Sequence, residues 1–390
     1  MIKIKWKKEW IEFEKAEWSG TSEQCSRQLS FSIPHNPYDK EFLNKNISLG
    51  DLIYLYNDKK CLFVGTVTSR EISAEIGTRE YVAQDFMHHL LRSSGTFKFK
   101  NMSPETIAKK LCKNLNITVG SLAKTGVNIP KIIFEEQPYY DMIVRVYRKA
   151  KATTKKIYMP AMDGKKVSVI VKGTSSGVVL EQGKDITEAS YSDTTDNMVD
   201  KVVIYDDKLK RLGEIKDNTN ISKYGIYQST YTKEKGVNAK NVAKSMLIGV
   251  TKEAQVTALG NIKAISGKSI KIKDSATGLT GTFYISADTH TFEDGTHIMN
   301  LELVWKNASE EGADVYEPSK SEKAKKKLSN ASKCYYLENS SVYHSSKSCT
   351  ACAGKKNIKT STVAKMKKVK IARGKNKGKR KYKACSKCWK

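Results

Sequence analysis

The sequence predicts a mainly β protein with an α/β insert and a small separate domain at its C-terminus. Three observations lead to this prediction. Short segments of alternating or β-branched residues, separated by turn residues, recur through residues 1–305. A stretch of helical periodicity interrupts them just after residue 103. Residues 334–390 hold five of the eight cysteines, a crowding typical of metal-stabilised modules.

A chain of 390 residues predicts two to four folding units. With 39% hydrophobic residues, it can form a core without stabilisation by disulfides or metal ions. We expect Cys25, Cys61 and Cys112, which are scattered singly, to be reduced and buried. The N-terminus mixes lysines into every turn, and no stretch approaches 18 uninterrupted apolar residues. The sequence therefore predicts no membrane span and no classical export signal, and we expect synthesis in the cytoplasm.

Residues 1–98 show five strand-like segments close together in the chain. Asn57–Lys60 joins two of them as a hairpin, because these residues tolerate turn geometry. Short strands at this spacing predict an antiparallel sandwich or barrel. The predicted strands are Trp10–Phe13, Leu29–Ile33, Leu52–Tyr56, Leu62–Val67 and Arg79–Val82.

Residues 99–189 read as an α/β insert. Ser103, Pro104 and Glu105 supply an N-cap hydroxyl, a first-turn proline and an early acid ahead of an amphipathic run that extends to Leu115. A second helix is predicted from about Tyr139 to Ala150. A hairpin follows, turned at Asp163-Gly164 and composed of Ile157–Met162 and Val167–Val171.

Strand patterns return in residues 190–305, with one helix that places Val242, Ala243, Met246, Leu247 and Val250 on one face. The segments Gly50–Gly65 and Gly267–Ile285 resemble each other weakly, which raises the hypothesis of an internal duplication. Residues 306–333 lack an apolar period and read as a solvated linker. The predicted strands are Val202–Tyr205, Gly225–Tyr231, Val256–Leu259, Ser269–Ile272, Gly281–Ile285 and Ile298–Val304, the last pair being linked through Asp294-Gly295.

Charge is concentrated in the tail. Of the formal net charge of +28, residues 320–390 carry 23 Lys and Arg against Glu322 and Glu338, so the remainder of the chain is only about +7. The basic loop from Lys365 to Lys383 could bind phosphates or another anionic polymer, but it is nearly devoid of stacking aromatics. A solvated charge run explains it equally well.

The tail cysteines predict a structural zinc site. Cys385-Ser-Lys-Cys388 presents two thiolates from one turn, and zinc needs four ligands. Either His344 with Cys349 or Cys349 with Cys352 can supply the second pair. Fewer than 60 residues with few large apolar side chains cannot hold a core alone, so metal binding would supply the folding free energy. Cys334 is the least favoured ligand.

Catalytic patterns are missing from the sequence of residues 1–305. His88-His89 follows Asp85, and His290 and His297 flank Glu293-Asp294, but neither group has metal-ligand spacing or a nucleophile motif. Structural roles are favoured for these histidines. The sequence also has no phosphate-binding glycine loop, zinc-protease helix motif or nucleophile elbow, which predicts a protein without enzyme activity.

The tail resembles the small Ada-like zinc modules appended to many bacterial nucleases and surface proteins. The resemblance rests on Val342-Tyr343-His344 with Cys349, and on Ala384-Cys385-Ser-Lys-Cys388-Trp389. It covers only residues 334–390 and implies that His344, Cys349, Cys385 and Cys388 bind structural Zn²⁺. Cys352 stands where that family commonly has an apolar residue, which leaves it as a substitute ligand.

Residues 1–305 resemble the central hub proteins of contractile phage tails and phage-like bacteriocins, the family related to XkdQ and the late-control gene D proteins. The motifs that carry the resemblance are Ser30–Ile33, Gly50–Ile53, Leu62–Gly65, Ala83–Asp85, Asn197–Val202, Tyr224-Gly225, Ala239–Leu247, Gly278–Gly281, Tyr284–Thr291 and Met299–Leu301.

The hub resemblance implies two tube-like antiparallel β-barrel modules, at residues 1–98 and 190–305. Three chains would then form a pseudo-sixfold ring that adapts a hexameric tail tube to a threefold central spike. The implied partners are two further copies of the chain, the tail tube protein, the spike, and baseplate and tape-measure proteins. The implied location is the tail particle of a virion or bacteriocin, assembled in the bacterial cytoplasm.

Two other functions compete with the hub. The zinc tail could make the chain a binding protein for nucleic acid or another anionic polymer, and affinity would then fall steeply with salt. Alternatively, the chain could be a cell-wall hydrolase of the tail tip, although the sequence lacks paired carboxylates, a Cys-His pair or a metalloprotease motif.

Overall fold

A computed structural model describes residues 1–23, 26–72, 76–234, 238–305, 333–337, 341–344, 357–369 and 382–384. The chain divides into two compact units. One unit comprises Met1–Met198 with Ile248–Gly312, and the other comprises Val199–Leu247 with Ala313–Lys390. No helix in the described part of the chain is long and apolar enough to cross a membrane.

The first unit is organised by one 13-stranded sheet. Its N-terminal half contains β1 (Ile2–Trp6), β2 (Glu9–Ile11), β3 (Lys15–Thr21), β4 (Gln28–His35), β5 (Leu52–Asn57), β6 (Lys60–Arg70) and β7 (Gly77–Asp85). In these strands buried and exposed residues alternate, and Leu29, Phe31 and Leu55 point into the core. Four of the five strands predicted in this region are confirmed with longer bounds. The fifth, Trp10–Phe13, overlaps the shorter β2 only at Trp10 and Ile11.

The insert follows the first seven strands. It contains α1 (Met87–Arg92), β8 (Ser94–Met102), α2 (Pro104–Asn114), β9 (Val119–Leu122), β10 (Ile129–Pro138), α3 (Tyr139–Thr154), β11 (Tyr158–Asp163) and β12 (Lys166–Val171). The predicted cap is confirmed, because the Ser103 hydroxyl accepts a hydrogen bond from the Thr106 amide at 3.3 Å. Apolar faces of α2 and α3 pack on β8 and β10 around Phe134, which is fully buried.

The C-terminal half of the large sheet contains β13 (Thr174–Glu181), β14 (Ile186–Thr194), β18 (Thr251–Leu259), β19 (Lys268–Lys273), β20 (Thr280–Glu293) and β21 (Thr296–Val304). The strand order is β14-β18-β21-β20-β3-β4-β7-β6-β5-β1-β2, with β19 also paired to β20 and β13 to β19. β13 and the first residues of β14 fall within the range predicted for the insert, 99–189, but both strands belong to this sheet, and Val178 and Leu180 of β13 pack in its core.

The mainly β fold is as predicted, but the two predicted β-barrel modules are not closed among the strands that the structure describes. β3 and β20 are paired antiparallel from Lys15↔Glu293 to Thr21↔Ala287, so both halves share one continuous sheet. At its ends, β2 pairs only with β1 and β14 only with β18, so the named strands form no closed circle.

The second unit contains two small sheets, one of three strands and one of four. In Val199–Leu247, β15 (Lys201–Tyr205) lies between β16 (Arg211–Lys216) and β17 (Gln228–Thr232), with α4 (Asn218–Tyr224) and α5 (Ala239–Ser245). Val202, Ile204 and Ala243 form a core cluster of their own. This segment falls within the range predicted for the second module, 190–305, but has a core separate from that of the large sheet. The predicted helix at Val242 is confirmed but ends earlier, at Ser245.

The tail sheet has the order β24-β22-β23-β25. It contains β22 (Lys333–Tyr336), β23 (Val342–His344), β24 (Lys359–Thr362), α6 (Val363–Lys368) and β25 (Lys383–Ala384). Five buried residues form its described core, namely Cys334, Tyr343, Val363, Met366 and Tyr382. So small a cluster contributes little folding free energy by itself.

Candidate junction between the sheet halves

The two segments with similar sequences adopt the same local geometry. Gly50 and Gly267 both have positive φ, +85° and +84°, a conformation that glycine adopts without strain. The Gly50 amide donates to the Val67 carbonyl at 2.8 Å, and the Gly267 amide donates to the Ile285 carbonyl at 2.9 Å. The two hairpins, β5–β6 and β19–β20, are both antiparallel. The matched geometry supports the duplication hypothesis.

A buried ion pair lies where the two halves meet. The Arg27 guanidinium, just before β4, donates through Nη1 to Asp288 Oδ1 at 2.9 Å and through Nη2 to Asp288 Oδ2. The Arg27 side chain is 13% exposed and the Asp288 side chain is not exposed. The bidentate geometry ties the N-terminal half of the sheet to β20.

Neighbouring residues make room for this pair and complete it. Asp288 stands opposite Gly20 on β3, where a Cβ atom would lie 2.6 Å from Arg27 Nη1. Trp18 lies under the guanidinium, with Arg27 Cζ 4.0 Å from the ring centroid. The Ser266 amide donates to Asp288 Oδ1 at 2.6 Å. Every oxygen of the buried carboxylate therefore has a donor.

Electrostatics favour the ionised form of Asp288. Burial acts to raise the pKa of this carboxyl, but the charge of Arg27 and its hydrogen bonds outweigh burial and hold the pKa well below its usual range. The His290 imidazole adds to this effect, with Nε2 3.4 Å from Asp288 Oδ2. The pair is thus charged throughout the physiological pH range.

The histidines predicted to be structural lie in the same region. His290 is fully buried, its Nε2 is 3.1 Å from the Ala264 carbonyl, and its Nδ1 is 3.0 Å from His297 Nε2. Burial, and to a smaller degree His290, lowers the pKa of His297 to about 4. Both rings are therefore held among protein atoms. His88 and His89 lie on α1, where their rings meet edge to face with centroids 6.1 Å apart.

Asp85 anchors a second contact of the Arg27 segment. Its carboxylate accepts hydrogen bonds from the Arg27 amide at 2.8 Å, the Ser26 hydroxyl at 3.0 Å and the Met87 amide at 3.0 Å. Burial nevertheless raises the pKa of Asp85 to about 6, against the effect of these donors. Asp85 thus fixes the start of β4 against the end of β7.

The opposite pKa shifts of Asp85 and His297 predict a compensated pH dependence. The pKa of Asp85 is higher in the folded state than in the unfolded state, so the contribution of Asp85 to the free energy of unfolding falls as pH rises from about 4 to 6. The pKa of His297 is lower in the folded state than in the unfolded state, so the contribution of His297 to the free energy of unfolding grows as pH rises from about 4 to 6.5. We expect Asp85→Asn to make stability rise with pH across this window, and His297→Asn to make it fall.

Urea unfolding of both variants at pH 4, 5 and 6, followed by tryptophan fluorescence, measures these slopes. Parallel pH profiles for the two variants would contradict the assignment, because their remaining titrating groups act in opposite directions.

Of the predicted metal ligands, the structure describes only His344. It is buried at the end of β23. Cys349, Cys385 and Cys388 lie outside the described residues, as does the alternative ligand Cys352. Cys334, the least favoured candidate, is fully buried in the tail core. Among described residues no group of three or more His, Cys, Asp or Glu could hold a metal.

Sequence reasoning missed the Arg27–Asp288 pair. A signal for half of it was present, because Phe283, Ile285, Asp288, His290 and Phe292 are the inward-facing positions of β20 and two of them are polar. A polar residue at an inward position needs a partner. The partner, Arg27, is 261 residues away, and no local pattern points to it.

A family model described as YQBQ-like matches residues 16–304 of the chain. The chain is 28% identical over 322 residues to the uncharacterized protein YqbQ of Bacillus subtilis strain 168, covering 78% of this chain and 96% of that protein. It is 26% identical over 317 residues to the phage-like element PBSX protein XkdQ of the same strain, with the same coverage.

Two solved structures share the fold. The 43 kDa tail protein of prophage MuSo2 from Shewanella oneidensis has a TM-score of 0.61 at 16% identity, covering 78% of this chain and 97% of that chain. The tail protein from Neisseria meningitidis MC58 has a TM-score of 0.56 at 15% identity, covering 77% and 95%. The family match stops before the tail module.

Proposed function

The chain belongs to the YQBQ-like family, and from this premise we propose that residues 1–305 are the structural hub of a contractile phage-type tail. The fold shared with two tail proteins, one of them from a prophage, supports a structural role in a tail particle. The relative XkdQ is a protein of a phage-like element, which agrees with that location. The likeness to these proteins extends over nearly their whole length.

In this proposal three chains form a ring that adapts a hexameric tail tube to a threefold spike. The single observation that carries it is the repeated glycine geometry of the β5–β6 and β19–β20 hairpins within one continuous sheet. Two similar halves per chain turn a threefold arrangement into six similar positions. β2, β13 and β14 each pair with one strand only among the described strands, and their other edges are the parts of the sheet left for neighbouring chains.

The role is one of shape and interface, without catalysis. His290, Asp288 and Asp85, which are the buried titratable groups of the junction, are all engaged by protein donors and acceptors. The partners that follow from the proposal are the tube protein, the spike, and baseplate and tape-measure proteins. Assembly takes place in the bacterial cytoplasm.

We further propose that residues 334–390 bind one structural zinc ion through His344, Cys349, Cys385 and Cys388. The buried imidazole of His344 suits a metal ligand, and β23 pairs in parallel with β25 at Tyr343↔Ala384. In the sequence, His344 directly follows Tyr343 and Cys385 directly follows Ala384. Zinc would supply folding free energy that a five-residue core lacks.

The oligomeric state tests the hub. For the purified full-length protein we expect light scattering after gel filtration to give three times the chain mass of 43.8 kDa. Negative-stain images should show rings with threefold or pseudo-sixfold symmetry. Dilution over two decades of concentration controls for chance association. A mass that stays monomeric at the highest concentration would contradict the ring.

A further inference from the structure

An open groove of about 450 Å³ lies beside the turn between β20 and β21. This volume is within the range of about 300–1,000 Å³ that ligand pockets occupy. Its lining includes apolar residues that are buried or half-buried, which we call the floor, and exposed acidic residues, which we call the rim. The floor contains Ile2, Phe13, Ile262 and Phe292, and the rim contains Glu14, Glu293 and Asp294.

The rim has a defined geometry. Asp294 and Gly295 form a two-residue turn with φ values of +48° and +75°, which suits the twist of the hairpin. The Thr296 hydroxyl donates to the Glu293 carbonyl at 2.6 Å. Glu293 also lies in the ladder between β20 and β3, opposite Lys15. The carboxylates at this turn are therefore presented by paired strands.

The groove is negative in a chain whose net charge is +28. None of the residues that line it is a lysine or arginine. The Met1 ammonium group at its edge is paired with Asp58, and the Lys15 ammonium group is 2.9 Å from Glu17. In the described part of the chain, neither Glu14 nor Asp294 has an ion-pair partner.

We propose that this acidic groove binds a lysine or arginine side chain presented by a partner protein. The aliphatic part of such a side chain would pack on Phe13 and Phe292, and its cationic end would lie between the carboxylates of the rim. A divalent cation fits less well, because no group of three described carboxylate, imidazole or thiol ligands converges here. The inference is independent of the tail assembly.

Two small probes of equal length test the proposal on the full-length protein. Nα-acetyl-lysine methylamide carries an ammonium group, and Nα-acetyl-norleucine methylamide has the same stem without it. In ligand-observed NMR titrations at low ionic strength, we expect saturable binding of the lysine probe, about fivefold tighter than the norleucine probe. The basic tail repels the lysine probe and so adds no background.

Asp294→Asn is the test variant, because asparagine also tolerates positive φ and keeps the turn. It should weaken the lysine probe toward the affinity of the norleucine probe and leave the norleucine probe unchanged. Glu12→Gln, which removes an exposed carboxylate outside the groove, is the matched control and should change neither affinity. Equal affinity for both probes, or an equal effect of the control, would overturn the proposal. Displacement of the lysine probe by micromolar Ca²⁺ would instead identify a divalent cation site.

Discussion

Replacing Arg27 with methionine should lower the free energy of unfolding of the large sheet by about 3–5 kcal/mol. The variant leaves the Asp288 carboxylate, whose side chain has no exposed surface, without its bidentate partner. The Ser266 amide still donates a hydrogen bond to Asp288 Oδ1, but it carries no charge that would replace the guanidinium. Urea unfolding followed by tryptophan fluorescence measures the change, because Arg27 lies on the Trp18 ring.

Two further variants make this result specific. Lys184→Met removes one partner of the exposed ion pair with Glu181 and should leave the unfolding midpoint unchanged. The double variant Arg27→Met with Asp288→Leu removes both charges and should be more stable than Arg27→Met alone. An Arg27→Met variant as stable as Lys184→Met would show that the junction does not depend on the pair.

Removing zinc should unfold the tail module and leave residues 1–305 folded. Structural zinc contributes about 10–16 kcal/mol of apparent binding free energy in small modules, far more than a five-residue core can supply. Native mass spectrometry of the full-length protein should find one zinc ion per chain. After treatment with an excess of chelator, limited proteolysis should cut within residues 334–390 first.

The choice of ligands can be decided with a pair of variants. His344→Ala should weaken zinc binding on the order of a hundredfold or more, whereas Cys352→Ala should retain it. The reverse result would assign the site to four cysteines, with Cys349 and Cys352 as the second pair. A full-length protein that carries no zinc after expression in zinc-supplemented medium would remove the metal proposal altogether.

Local signals in the sequence were sufficient for many of the elements. Ser103 caps α2 as predicted, and the Asp294-Gly295 turn joins β20 to β21. α3 begins at the predicted residue, Tyr139, but continues to Thr154, where Lys155 ends it in a left-handed conformation. Each of these features is determined by a few neighbouring residues, and such features can therefore be predicted from the sequence.

Pairing partners could not be predicted in the same way. β13 pairs in parallel with β19, and β3 pairs with β20. The local sequence of these strands does not indicate which strand each one pairs with. The expected closed barrels fail for this reason, because an alternating strand is equally suited to either neighbour. In the candidate site, Asp288 was visible as a polar residue at an inward position, whereas Arg27 becomes its partner only through the β3–β20 register.

The pairing of β3 with β20 also sets the order of events during synthesis. β3 begins at Lys15 and its partner β20 ends at Glu293, so the edge of β3 that pairs with β20 waits for almost all of residues 1–305 to be translated. At about 5–20 residues per second this delay is roughly 15–55 seconds. The insert, whose strands and helices contact one another over short sequence distances, can fold within that interval. The emerging chain therefore carries a finished domain in its middle while one edge of β3 still lacks its partner strand.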